Sequence, residues 1–88
     1  MTFLVESHFT AIPTADILAL IPAESARGAA LDAEGVRLHL FVAADRSKAW
    51  QIYRADSLAE LQQILATFPL HQYVNTTITP LADVMNEY

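Results

Sequence analysis

Thr2 to Phe9 is rich in strand-forming residues, an apolar Phe3-Leu4-Val5 followed by a polar Glu6-Ser7-His8, and Ile12-Pro13 closes the run, which predicts a first β-strand. Beyond Pro13 the pattern turns helical. Thr14 can cap a short turn through Asp16-Ile17-Leu18, and a longer helix is expected from Ala23 to about Ala33. Pro22 either starts that helix, where its missing N–H costs nothing, or kinks it. Gly35 supplies the left-handed residue that stops it. Val36 to Ala44 and Lys48 to Arg54 read as two strands joined by a hairpin at Asp45-Arg46-Ser47. Ser57 and Glu60 make a capping box ahead of a helix from Leu58 to Thr67, whose Leu58, Leu61, Ile64 and Leu65 form one stripe. Pro69 ends that helix, and Tyr73 to Thr79 form a fourth strand. After Pro80, the tail from Asp83 to Tyr88 is expected to be loosely held or wrapped on a neighbour.

The order is βαββαβ over a single domain, residues 1–88. This is the ferredoxin-like α+β pattern, an antiparallel four-stranded sheet with two helices on one face. Period-2 alternation then divides the strand residues between two faces. The apolar set is Phe3 and Val5; Val36, Leu38, Leu40 and Val42; Trp50 and Ile52; Val74 and Ile78, expected beneath the helices. The opposite set is mixed: Leu4, Glu6 and His8; Arg37, His39 and Phe41; Gln51 and Tyr53; Tyr73, Asn75 and Thr77. It is either a wet sheet face or polar seam, or the lining of a cavity between two stacked sheets.

Composition favours a covered face. A chain of 88 residues buries only about 60–65% of its unfolded surface, yet 53% of these residues are hydrophobic. The surplus predicts a homodimer or higher homo-oligomer that pairs sheet to sheet. The absence of cysteine excludes disulfides and thiolate metal sites. A net charge of −5 with five dispersed Lys and Arg residues argues against a nucleic-acid partner. No apolar run reaches membrane-spanning length, and the first residues do not read as a signal peptide, so a cytoplasmic protein is expected.

The mixed face carries the candidate chemistry for a small-molecule ligand. His39 can take and return a proton near neutrality, or it is a hydrogen-bonded interface histidine. His8 with Glu6 two residues earlier forms either a base oriented by a carboxylate or an exposed polar edge. Tyr53 and Tyr73 each offer a hydroxyl to a carbonyl oxygen, or merely pack. Arg37 can pair with a carboxylate, and Phe41 and Gln51 complete a binding surface. Trp50 reads as core, and His71 as an exposed turn residue. Glu6, His8 and His39 also match a two-His, one-carboxylate set, but no short ligand spacing supports it and no metal is expected. With only two glycines there is no phosphate loop, and no cofactor is expected.

Leu38-His39-Leu40, Glu60-Leu61, Pro69-Leu70, Tyr73 and Thr79-Pro80-Leu81 together resemble the muconolactone Δ-isomerase family. The resemblance runs from Gly35 to Ala82 and includes Phe3-Leu4-Val5. Against a Trp-Pro-His-Leu-Trp-Arg strand in that family, Arg37-Leu38-His39-Leu40-Phe41-Val42 keeps the histidine and replaces both tryptophans and the arginine. It implies a dimeric α/β-barrel architecture and a proton shift on a small lactone or related carbonyl compound. The base would be His39, or His8 oriented by Glu6, with Tyr53 or Tyr73 at the enolate. A non-catalytic ligand-binding or accessory module of the same fold is the alternative.

Overall fold

Caps written into the chain set where its helices begin. In the computed structural model, which describes residues 1–82, Thr14 Oγ1 accepts the Ile17 N–H at 3.4 Å, and Ser57 Oγ accepts the Glu60 N–H at 3.1 Å. The Glu60 carboxylate reaches back to the Asp56 N–H at 3.0 Å, one residue earlier than a standard capping box. The expectation for Asp83 to Tyr88 lies outside the described residues.

The elements are β1 (Thr2–Phe9), α1 (Ala15–Leu18), α2 (Ile21–Ala33), β2 (Arg37–Val42), β3 (Ala49–Arg54), α3 (Leu58–Ala66) and β4 (Val74–Leu81). Pro22 lies in the first turn of α2 and therefore starts the helix. Gly35 follows it at φ 72°, in the left-handed region. Three strands differ in their bounds from the sequence reading, β3 only in beginning at Ala49 and not at Lys48. β2 is shorter than Val36 to Ala44. Tyr73 lies in a 3₁₀ turn (His71–Tyr73), so β4 begins at Val74 and continues through Pro80. A proline is tolerated there because β4 is an edge strand.

The strand order β2-β3-β1-β4, antiparallel throughout, is the ferredoxin-like arrangement with α2 and α3 on one face. Phe3, Val5, Leu31, Tyr53, Leu61 and Leu65 form the centre of the core between sheet and helices. Leu58, read as part of the α3 stripe, is exposed. Among the described residues no helix is long and apolar enough to cross a membrane.

The register corrects the faces of β3 and of Arg37 and Leu38 at the start of β2, and bears out those of His39, Leu40, Phe41 and Val42. Phe3 pairs with Tyr53 and Val5 with Gln51, while Leu4 pairs with Ile52 and Glu6 with Trp50. Directly opposed residues share a face, so Gln51 and Tyr53 lie under the helices, and Trp50 and Ile52 lie on the open face. This inverts the sequence-based reading of β3. In β2 the pairing slips by one residue between Arg37 and His39, leaving Leu38 as a bulge. Arg37, opposite Tyr53, thus faces the helices, whereas His39 and Phe41, opposite Ile52 and Trp50, face outward. Leu40 and Val42 turn toward the helix side. The expected faces of Phe3, Val5, Leu4, Glu6, His8, Asn75, Thr77, Val74 and Ile78 agree with the register.

Candidate functional site

Two polar groupings result, one on each side of the sheet. On the open face, Trp50 Nε1 donates to Glu6 Oε1 at 3.1 Å, and Lys48 Nζ sits 5.8 Å from the Trp50 ring centroid. His39 and Phe41 stack with centroids 6.0 Å apart, and both are exposed. Glu6 is therefore bonded to Trp50, across the strand from it, rather than being seen to orient His8. Among the described residues no three His, Asp or Glu side chains gather as a metal-binding group, so Glu6, His8 and His39 do not form one.

The second grouping lies between the sheet and α2. It borders a chamber of about 360 Å³, within the size range of small-ligand pockets. Glu24, Arg37 and Gln51 supply its inner polar groups, and Leu40, Phe68 and Leu70 are among its apolar walls. The end of β1 borders the same chamber at Ser7, His8 and Phe9, although the register turns the His8 side chain to the open face, and the β2–β3 hairpin borders it at Arg46 and Lys48. Of the five Lys and Arg residues in this acidic chain, Arg37 and Arg46 border this cavity, while the Lys48 ammonium lies over Trp50 on the open face.

Helix spacing brings Glu24 inward. Gly28 and Leu31 are the buried residues of α2, and Glu24 lies four and seven positions before them on the same stripe. Its Oε1 accepts the Leu70 N–H at 2.9 Å. Desolvation raises the Glu24 carboxyl above its ordinary value of 4.5, against the opposing pull of that N–H, Arg37 and His71.

Arg37 is held by a fork. Its Nε and Nη2 donate to the two Asp32 carboxylate oxygens at 2.7 and 3.0 Å, and Nη1 donates to Gln51 Oε1 at 3.2 Å. This ion pair holds the Asp32 carboxyl below its usual range and raises the guanidinium further. Tyr53, fully buried, donates its hydroxyl to the same Gln51 Oε1 at 2.5 Å. Burial pushes its phenol well up, so the hydroxyl stays a donor. With Oε1 taken by two donors, the Gln51 amide is fixed and its Nε2 hydrogens remain to serve a ligand.

The residues singled out from sequence therefore separate. Arg37, Gln51 and Tyr53 come together on the helix side, and Arg37 and Gln51 reach the chamber. His8 stands at its rim. Glu6, His39 and Phe41 occupy the open face, and Tyr73 sits in the turn before β4, where its carbonyl accepts the Thr10 N–H at 3.0 Å. Glu24 was missed. A lone first-turn glutamate reads as a solvated residue favoured by the helix dipole. The available signal was its place on the stripe with Gly28 and Leu31.

The sequence matches the model of the family described as muconolactone delta-isomerase over residues 1–87. The chain belongs to the muconolactone delta-isomerase family. Among curated proteins none matches significantly. Among solved structures, a muconolactone isomerase superposes with a TM-score of 0.84 at 21% identity, covering 98% of this chain and 93% of that one. A 5-chloro-2-hydroxyhydroquinone dehydrochlorinase from Burkholderia phenoliruptrix, in complex with 2,5-dihydroxybenzoquinone, gives 0.65 at 16% identity, covering 93% and 94%. At these identities the likeness shows the fold. Membership of the muconolactone delta-isomerase family makes a small-molecule catalytic or binding module the functional class.

Proposed function

We propose that the chamber beneath α2 moves a proton within a small oxygenated ring, a lactone or related carbonyl compound bearing a carboxylate. The observation that carries this reading is Glu24, a carboxyl with raised pKa, in the same cavity as Arg37 and the amide fixed by Tyr53. Glu24 takes a proton from the ring carbon whose C–H is acidified by the carbonyl, and the electron pair moves onto the carbonyl oxygen. The Gln51 amide and the Arg37 guanidinium stabilise that oxygen. The protonated Glu24 then returns its proton to another ring carbon, so the double bond shifts with no net change in atoms. Arg46 at the rim suits the carboxylate.

This assigns the base to Glu24, with Tyr53 acting through Gln51 as a positioning residue. Incubation of the purified protein with muconolactone, followed by ultraviolet absorbance and NMR, tests it. Turnover retained in His39→Ala is expected. Turnover abolished by that change alone would return the chemistry to the open face. Tight binding without turnover would make the protein a ligand-binding module.

The open face itself suits a second copy of the chain. Leu4, Ile52, Trp50 and Phe41 place apolar surface there, and Phe41 is 59% exposed. Sheet-to-sheet pairing buries this surface while leaving the chamber on the helix side. Phe41→Asp is expected to shift the sedimentation coefficient toward the monomer without loss of far-ultraviolet dichroism. An unchanged assembly would sink the pairing.

A further inference from the structure

The chamber does not end at its rim. A second basin of about 700 Å³ adjoins it and shares His8, Phe9, Ile21, Arg46 and Ser47 with it. The residues lining only the outer basin are Ala11, Ile12, Pro13 and Leu18, all apolar. They come from α1 and the segment ahead of it. Ile12 is 93% exposed, an extreme value for an isoleucine beside a cavity.

At the join stands Arg46, with φ 65°. A non-glycine residue in the left-handed region costs about 1 kcal/mol. The hairpin holds it there: its N–H donates to the Ala43 carbonyl at 2.8 Å, and the Ser47 N–H and hydroxyl both bond Asp45 Oδ1, at 3.0 and 2.6 Å. Among the described residues the Arg46 guanidinium has no carboxylate partner. The geometry thus sets three zones in sequence: an inner chamber with apolar walls and the polar groups of Glu24, Arg37 and Gln51, a free cation, and an apolar outer basin.

We infer that the ligand of this site is an amphipathic acid: a ring in the inner chamber, a carboxylate at Arg46, and an alkyl or aryl substituent lying along Ile12 and Leu18. The inference rests on the chamber being the functional site and adds the substituent. A one-ring acid fits within the inner chamber and leaves the apolar basin wet. A substituent branching from the carboxylate-bearing carbon fills it and removes apolar surface from water on both sides.

Phenylacetate, 2-phenylbutyrate and 2-phenylhexanoate make a series with this branching, and titration calorimetry on the full chain reads their affinities. The expected result is at least about a tenfold gain in affinity across the four added methylenes, each worth up to roughly fourfold when fully buried. Ile12→Asp is expected to abolish that gain and to leave phenylacetate binding unchanged. Affinities that stay flat, or a gain that survives Ile12→Asp, would overturn the inference while the chamber remains a binding site. No binding of phenylacetate would overturn both. A change of assembly state in Ile12→Asp, seen by sedimentation, would assign the basin to a second copy of the chain and equally overturn it.

Discussion

Glu24→Gln is expected to lower kcat on muconolactone about a thousandfold, within the range that general acid–base groups contribute, and to leave the protein folded. Glutamine keeps the oxygen that accepts the Leu70 N–H, so the local packing persists. It cannot take a proton. The wild-type kcat/KM should rise with pH as Glu24 ionises, with the midpoint of that limb above 4.5 because desolvation raises the carboxyl. The sign for stability is opposite. Folding favours the protonated form, so the contribution of Glu24 to stability is complete below 4.5 and is lost as pH rises through its elevated folded value. Thermal melts from pH 4 to 8 should therefore show Glu24→Gln at least as stable as wild type near neutrality, with a flatter profile. A variant that retains turnover would exclude Glu24 as the base.

Gly28→Ala should separate activity from stability. A Cβ at Gly28 would stand 2.6 Å from both Nη1 and Nη2 of Arg37, and 2.7 Å from its Cζ. The guanidinium must leave, although Asp32 and Gln51 currently hold it. Its side chain is only 10% exposed, so displacement breaks a mostly shielded arrangement rather than a solvated one. Alanine inside a helix gains up to about 1 kcal/mol over glycine, and the lost charge-assisted bonds cost a similar amount. Stability is thus expected to stay within about 1 kcal/mol of wild type, while kcat/KM falls about a hundredfold through loss of the oxyanion donor. A double-mutant cycle with Arg37→Met decides the cause, because the two changes should be strongly non-additive if both act by removing one guanidinium from the chamber. Additive losses would show that Gly28 matters for some other reason.

The elements of the fold were legible because their signals are local. Ser57 with Glu60, and Gly35 at φ 72°, each state a boundary that needs no tertiary context, whereas Pro22 allowed either a start or a kink. The faces of β3, and of Arg37 and Leu38 at the start of β2, were not, since pairing rather than hydropathy sets strand phase. Trp50 and Ile52 look like core residues, but pairing with β1 turns them outward, and Gln51 and Tyr53 are accommodated inside because they bond each other and Arg37. Leu38 carries no turn chemistry that would announce a bulge, yet that one residue sends Arg37 and His39 to opposite sides. The candidate site was therefore half legible: Arg37, Gln51 and Tyr53 were identified but assigned to the wrong face, and Glu24 was overlooked.

Pro80 and the Leu38 bulge have a joint consequence for growth. Pro80 leaves β4 without one N–H near its end, and the bulge distorts β2 near its start; these strands are the two rims of the sheet. A chain so rich in apolar residues could otherwise extend sideways, strand upon strand, into ribbons of indefinite length. With each rim disturbed at one end, lateral pairing is disfavoured and copies are expected to meet broadside, a contact that closes on itself. Concentration should therefore bring this protein to a finite particle rather than a fibre.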